Sequence, residues 1–398
     1  MDRNIPIFCG AVDIGGTKIA SALFTRDGEI SAGTKTAIDK SGGDAAAAQV
    51  ATAIGALAGA ATAAGGRLLA VGLCVPGIAY LGTGRVWAPN IPGWDQYPLL
   101  EKLRAPEGQS PAGTVPIILE SDRSACVAGE AWKGAAAGAS DAVFLAVGTG
   151  NAAGIIAGGR VIHGHEDIAG AVGWFALDPD FQPEYAAMGS FEAEASGDSV
   201  ARKARARLIG GTPSILLDLA HGSIGAVTAE TVAAAARRRD PLALDVVADV
   251  VTYLGMGVAN IVSILNPEVV VLGGGLFQAA DLFLEPVRRE FKRWAQPLAA
   301  RSVRIELSTL GEQGGLYGCG HLAWQKLDTS TIPGIPSRGS DLKISRRSPA
   351  PSRSAGLLPV RSPESASRRR GAGELKAIPR AKPERGISRN PQKNQKKA

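Results

Sequence analysis

Two stretches of this chain carry one pattern: an apolar run, a glycine turn and a second apolar run. The first is IFCGAVDI, then Gly15-Gly16, then KIASALF; the second is DAVFLAVGTG followed by NAAGIIAGGRVI. Short apolar runs bounded by glycine read as buried strands entering tight turns. Asp27-Gly28, after the first module, is a hairpin turn signal. Residues 44–64 are Ala-rich and helical, LLAVGLCVPG and VPIILESD are short strands, and ACVAGEAWKGA has helical spacing. Residues 242–265 form a long amphipathic helix, and PEVVVLGGG is a strand opening onto three glycines. Strands alternating with helices around a duplicated module predict two related α/β halves. Open α/β sheets bind ligands at strand ends and between domains, and here the glycines cluster at those ends.

Composition narrows the class. Gly is 51 of 398 residues, about 13% against an ordinary 7%, as expected of many tight turns and close backbone–ligand approaches. The net charge of +6 sums two unlike segments. Residues 331–398 hold 17 of the 43 Lys+Arg and 4 of the 37 Asp+Glu, a net of +13, which leaves the first 330 residues at −7. That basic stretch also carries 9 of the 24 prolines, and runs such as SRRSPAPSRS cannot bury enough apolar surface to fold. It reads as a disordered, solvated tail; nonspecific electrostatic contact with nucleic acid or an anionic surface is the alternative. Cys9, Cys74, Cys126 and Cys319 form no C-x-x-C pair and read as buried structural thiols of a reduced compartment. No uninterrupted apolar run of about 18 residues and no signal peptide are present, so a cytoplasmic protein without membrane attachment is expected.

Three glycine turns carry the chemistry. Asp13-Ile14-Gly15-Gly16-Thr17-Lys18 is not a Walker A loop, because a strand and not a helix follows it. A hairpin with two glycines lets backbone N–H groups approach a phosphate, with Thr17 and Lys18 as further donors. Asp13 is placed to hold a hydrated Mg²⁺, which takes one or two carboxylates plus phosphate oxygens. A bare D-x-G-G pattern also fits a plain hairpin. Gly148-Thr149-Gly150 repeats the arrangement. Gly273-Gly274-Gly275 lets a flat ring lie against the backbone, though three glycines also make an ordinary turn. The three together, all at strand ends, point to nucleotide binding.

With AVDIGGTKIASALF, VGLCVPGIAYLGTGRVWAPNIPGW, ESDRSACVAGEAWKGA, VFLAVGTGNAAGIIAGGRVI, FEAEASG and LNPEVVVLGGGLF in this order, the chain resembles the ROK family (repressors, uncharacterised frames and sugar kinases) of the actin-like ATPase superfamily. The resemblance covers residues 9 to about 325. It implies two RNase H-like domains, 1–125 and 126–328, with an interdomain cleft where sugar and ATP meet. It also implies a last helix packing back on the N-terminal domain and a homodimer, and it stops short of the basic tail read over 329–398. By position Asp122 matches the catalytic aspartate, and Asn90 and Glu192 match sugar-binding residues. Asp122 is chemically apt, since a carboxylate at a strand end can take the proton of an attacking hydroxyl. A helix N-cap is its structural alternative. A turn residue is the alternative for Asn90, and a solvated helix-start glutamate for Glu192.

The departures matter equally. Where the family has A-G-E-x-G-H, this chain has Ala169-Gly170-Ala171-Val172-Gly173-Trp174. Ala171 replaces a sugar-binding glutamate, and Trp174 replaces a histidine that contacts sugar and zinc. The family's three cysteine positions hold Pro183, Tyr185 and Ser190. A tetrahedral zinc site needs about four N/S ligands, so no zinc is expected. Ser121 stands where an asparagine usually precedes the catalytic aspartate, which costs one sugar contact. His163 and His165 read as a surface loop, with substrate contact the alternative. Trp87, Trp94 and Trp132 read as core or cleft walls. No helix-turn-helix module precedes residue 9, which argues against a DNA-binding repressor. The expected activity is MgATP-dependent phosphorylation of a sugar hydroxyl, with polyphosphate open as donor. The alternative is a non-catalytic protein that senses a sugar or nucleotide.

Overall fold

The computed structural model describes residues 5–104 and 115–329. The first module forms β1 (Ile7–Ile14) and β2 (Lys18–Phe24), and the Asp27-Gly28 turn leads into β3 (Ile30–Ala37). Then come α1 (Gly43–Ala63), β4 (Arg67–Val75), β5 (Ile78–Tyr80), β6 (Arg85–Trp87), α2 (Leu99–Leu103), β7 (Ile117–Ser121) and α3 (Asp122–Lys133). The second module forms β8 (Ala142–Val147), β9 (Asn151–Ala157) and β10 (Arg160–Val161). A helical stretch follows: α4 (Tyr185–Met188), α5 (Ser190–Ala195), α6 (Gly197–Ile209), α7 (Leu216–Leu219), α8 (Ala229–Arg237) and α9 (Pro241–Leu265). The chain closes with β11 (Val269–Gly273), α10 (Ala280–Trp294), α11 (Ala299–Ser302), β12 (Arg304–Leu307) and α12 (Gly314–Thr329).

The two modules nucleate two five-stranded mixed sheets of the same plan. The orders are β3-β2-β1-β4-β7 and β10-β9-β8-β11-β12. In the first, β1 runs antiparallel to β2 and parallel to β4, and β4 runs parallel to β7. In the second, β8 runs antiparallel to β9 and parallel to β11, and β11 runs parallel to β12. The duplication legible in the sequence is therefore a duplication of topology.

Each sheet has its own core. Helix α1 lays Ala46, Ala47, Val50, Ile54, Leu57 and Ala61 on the first sheet, a stripe at helical spacing. Helix α9 starts at Asp240, whose Oδ1 accepts the Ala243 N–H at 2.9 Å, with Pro241 in the first turn. It ends at Asn266 in the left-handed region, φ 44°. Its Val246, Val250, Leu254, Val258 and Val262 are fully buried in the second core. On length and composition alone, α1 and α9 are apolar enough to cross a membrane; the apolar stripe of α9 is spent on the core instead.

Helix α12 returns to the first sheet and packs on β1, β4 and α3. Only glycine permits this approach. A Cβ on Gly318 would stand 1.7 Å from the Ala125 carbonyl oxygen, and one on Gly72 would stand 2.0 Å from that of Cys319. Part of the high glycine content therefore serves helix–helix and helix–sheet contact as well as turns.

Some expectations need correction. Trp94 is a core residue stacked on Tyr97 at 5.3 Å, and Trp132 packs against Phe24, Tyr317 and His321, but Trp87 is 39% exposed. Cys9, Cys74 and Cys319 are buried, whereas Cys126 is half-buried. Helix α12 takes in Thr329, the first residue of the basic tail as read, and the rest of that tail lies outside the described residues.

Candidate active site

Strand register builds the floor of the site. Asp13 pairs with Cys74 across β1 and β4, and Cys74 pairs with Glu120 across β4 and β7. The three side chains therefore form one row on one face of the sheet. The Cys74 thiol donates to Asp13 Oδ1 at 3.2 Å. Burial pushes the Asp13 carboxyl up, against the opposing pull of that thiol and of Lys18. Gly315, at the start of α12, leaves room for this carboxylate: a Cβ there would come within 2.8 Å of Asp13 Oδ2.

Asp122 is the first residue of α3 but not its cap. Ser121 caps the helix, accepting the Ser124 N–H at 3.4 Å and meeting the Ser124 hydroxyl at 3.0 Å. Asp122 Oδ1 accepts the Arg123 N–H at 2.7 Å. Burial pushes its carboxyl up to about 6, offset by the Arg123 N–H and guanidinium, while the charge of Asp13 adds to the rise. The two carboxylates thus share one low-dielectric region, and the Ser121 hydroxyl is committed to the helix.

The glycine turns differ in what they offer. In the first, the Gly15 N–H closes on the Lys18 carbonyl at 2.8 Å, and Gly16 packs on Asn90, whose Cβ would be 2.9 Å from a Cβ there. Lys18 Nζ lies 2.7 Å and Lys35 Nζ 3.1 Å from Glu312 Oε2. Asp13, Gly15, Lys18, Lys35 and Glu312 line a cavity of about 500 Å³. Thr17, like Thr149 in the second turn, is exposed.

In the second turn the Gly148 N–H meets the Gly150 carbonyl at 2.9 Å, and the Gly197 N–H meets the Gly148 carbonyl at 2.7 Å. Glu192 Oε2 accepts the Asn151 N–H at 2.9 Å and would stand 2.5 Å from a Cβ on Gly150. Burial raises the Glu192 carboxyl, and the Asn151 N–H opposes the rise.

In the third turn Gly273 packs under the Phe144 ring, and Gly274 (φ 91°) lies against the Val147 carbonyl. Only Gly275 opens onto free space. These three line a second cavity of about 400 Å³ with Ser308, Gly311 and Glu312. Glu312 borders both cavities and joins the first turn to the third. Gly148 and Gly275 approach each other, with a Gly148 Cβ 4.0 Å from the Gly275 nitrogen.

Ala171 lies on the rim of a separate apolar cavity of about 240 Å³, with Ile155, Phe175, Ile261 and Ile264. Neither Asn90, Asp122 nor Glu192 lines it. Trp174 is 58% exposed. A Cβ on Gly173, its neighbour, would lie 3.0 Å from Glu192 Oε2.

Several functional candidates escaped the sequence. Arg123 is buried and donates to the carbonyls of Gly77 at 2.8 Å, Asp167 at 2.9 Å and Ala169 at 3.1 Å. It pins the β4–β5 turn to the loop ending at Ala171. His163 is not a free surface residue: its Nε2 lies 3.0 Å from both carboxylate oxygens of buried Glu120. His165 is fully on the surface. Glu312 was also missed. The one signal in reach was Arg123 directly after the carboxylate, since a buried guanidinium needs several acceptors.

The four positions at which the resemblance implies zinc ligands do not fit that metal. Pro183 has no donor atom in its side chain and Trp174 offers only an N–H. The Tyr185 hydroxyl donates to Glu194 Oε1 at 2.6 Å, and the Ser190 hydroxyl accepts the Leu177 N–H at 3.4 Å. Among the described residues no group of three or more His, Cys, Asp or Glu is arranged to hold a metal ion.

Two sheets of one topology, with glycine turns and carboxylates converging at their strand ends, define a mixed α/β protein of the actin-like ATPase type. The ROK family profile matches residues 9–326, and the chain belongs to the ROK family. It is 33% identical to a glucokinase of Halalkalibacterium halodurans over 79% of this chain and 94% of that one. A Streptomyces griseus ROK family glucokinase, solved with glucose and AMPPNP, superposes with a TM-score of 0.63 at 30% identity, covering 80% of this chain and 99% of that one. The Escherichia coli transcriptional repressor Mlc is 28% identical over 63% of this chain and 60% of its own length.

Proposed function

We propose that this protein is an ATP-dependent sugar kinase, in which a sugar hydroxyl attacks the γ-phosphate of ATP to give a sugar phosphate and ADP. The observation that carries the reading is the placement of Asp122: a half-buried carboxyl at the start of α3, raised to about 6 and so deprotonated at neutral pH, with the charge of Asp13 acting on it. Asp122 takes the hydroxyl proton. Asn90, against the first turn, and Glu192, against the second, hold the sugar on either side. Gly15, Gly16, Lys18 and Gly148 to Gly150 receive the phosphates, and the cavity beside Gly275 receives the adenosine. The halves 1–125 and 126–328 act as the two lobes, with a homodimer as the assembly.

Asp13 fits Mg²⁺ through water. Its carboxylate is backed by the Cys74 thiol and by Gly315, and the residue lines the cavity beside the phosphate turn. Asp13 would hold the ion, and the chemistry it would supply there is neutralisation of charge on the transferred phosphate. The protein's own contribution is orientation of the two substrates and removal of one proton.

A second reading is supported by Ala171 and Trp174, which lack the carboxylate and imidazole of the family motif, and by the similarity to a repressor. In that reading the chain binds sugar without phosphorylating it. A coupled ADP-release screen over hexoses, amino sugars and N-acetyl sugars, run beside sugar-induced melting shifts, separates the two. Turnover with any sugar establishes the kinase. Melting shifts without turnover establish the sensor.

A further inference from the structure

The helix that carries Glu192 is short, and it buries Phe191, Ala193 and Ala195 completely. Helix α5 has six residues, is preceded by Gly189 at φ 83°, and is reached through a segment of irregular backbone. Polar contacts on both sides add to that packing. On one side, Asn151 Nδ2 donates to the Phe191 carbonyl at 3.2 Å and the Ala195 carbonyl at 3.4 Å. On the other, a continuous chain of polar contacts crosses four helices. The Tyr185 hydroxyl of α4 donates to Glu194 Oε1 of α5 at 2.6 Å. Glu194 Oε2 pairs with Lys203 Nζ of α6 at 2.7 Å. Lys203 Nζ lies 4.9 Å from the ring centroid of Tyr253 on α9. The Tyr253 hydroxyl donates to Asp178 Oδ2 at 2.7 Å, which ties down the segment leading from Trp174.

These contacts differ from ordinary surface ion pairs. The Glu194 and Lys203 side chains are only 13% and 15% exposed. Breaking a buried pair by removing one partner leaves an uncompensated charge, so such a pair is sensitive to single substitutions. Burial and then Glu194 push the Tyr185 hydroxyl up, and burial and then Asp178 do the same at Tyr253, so both remain proton donors. Three of its five members, Asp178, Tyr185 and Glu194, lie in the stretch 174–194 that holds the four positions with no zinc ligands.

We propose that Tyr185, Glu194, Lys203, Tyr253 and Asp178 are a metal-free positioning set that holds Glu192 against the second glycine turn. None of the five touches the reacting atoms. Their effect on sugar passes through Glu192 and so rests on the kinase or sensor reading of that residue, but the positioning itself does not.

The test uses the full chain with Glu194→Gln, Lys203→Met, the double variant and the conservative Lys203→Arg. Hydrogen exchange at residues 185–195 reads positioning without any sugar. Protection there should fall about tenfold or more in each single variant, with α1 unchanged. The double variant should lose less than the sum of the two singles, because it leaves no unpaired charge. Lys203→Arg should retain most protection. With a phosphorylated sugar, KM for sugar should rise about 3- to 10-fold in the single variants while kcat stays within about twofold. Unchanged exchange at 185–195 in both single variants overturns the proposal. So does one tightly held zinc per chain whose removal loosens 185–195. A wild-type chain that neither turns over nor binds any sugar overturns the kinase and sensor readings, and the exchange measurement still decides the positioning set.

Discussion

Lys18 Nζ lies 2.7 Å from Glu312 Oε2, so the cation of the first glycine turn is already paired with a residue that borders both cavities. Lys35 shares that carboxylate at 3.1 Å. The two lysines pull the Glu312 carboxyl down to about 2, so it stays charged at any working pH. All three side chains are more than a third exposed, and such pairs add little to stability. Their consequence is for anion binding. In the proposed kinase, a triphosphate held by Lys18 would have to take that lysine from Glu312. Glu312→Gln should therefore lower KM for MgATP a few-fold at low salt, with the gain shrinking toward about 1 M salt as screening sets in. Melting temperature should not move appreciably. A raised KM would mean that Glu312 contacts the nucleotide favourably, contrary to this assignment.

The raised carboxyl of Asp122 fixes a pH profile. A general base works only when deprotonated, so log kcat/KM should climb with unit slope up to about pH 6 and level off above it. Asp122→Asn should abolish that limb and cut kcat by about 10²–10⁴, with ATP binding and melting temperature near wild type. A flat profile from pH 5 to 8 in the wild type would remove Asp122 from proton transfer.

His163 and Glu120 predict a second pH effect, on stability. Glu120 raises the imidazole above its ordinary 6.5, while burial and Arg123 oppose this and Asp167 assists. The pair therefore stabilises fully below pH 6.5 and loses that contribution as pH rises through the higher folded value. His163→Gln should flatten the decline of melting temperature between about pH 6 and 8. The effect should be no more than about 1 kcal/mol, because His163 is partly exposed. An identical slope in the variant would show that the histidine is not charged in the pair.

How much of this was readable follows from sequence distance. The strand–glycine–strand modules announce themselves because hairpin partners are neighbours in the chain, and both sheets grew from them. The glycine turns and Asp13 stand out because each lies at the end of an apolar run, whereas Asp122 takes its proposed role from the resemblance, since an aspartate at a strand end also fits a helix cap. Arg123, His163 and Glu312 were not, because what gives each its role lies 46, 43 and 294 residues away. The Ser121 cap was masked by its neighbour, since either Ser121 or Asp122 can cap a helix. The Tyr185-to-Asp178 network was invisible because its members are ordinary residues until four helices pack together.

Ala171 and Trp174 yield the last prediction, on substrate choice. The family motif would supply a carboxylate and an imidazole there, and charge-assisted hydrogen bonds are worth about 1.5–3 kcal/mol each. Their loss should make glucose a poor substrate, by about 10–100-fold per contact in kcat/KM. A sugar with a less polar or bulkier substituent has an exposed indole face to lie on at Trp174. The reverse substitution is feasible, because Ala171 is exposed and a carboxylate there keeps its water. A171E/W174H should raise kcat/KM for glucose at least tenfold and lower it for whichever sugar the wild type prefers. The gain should stop short of a full restoration, since Pro183, Tyr185 and Ser190 still offer no zinc site to orient the new imidazole. Glucose emerging as the best wild-type substrate with an ordinary KM would show that Glu192 and bound water already supply the missing contacts, and that Trp174 does not set specificity.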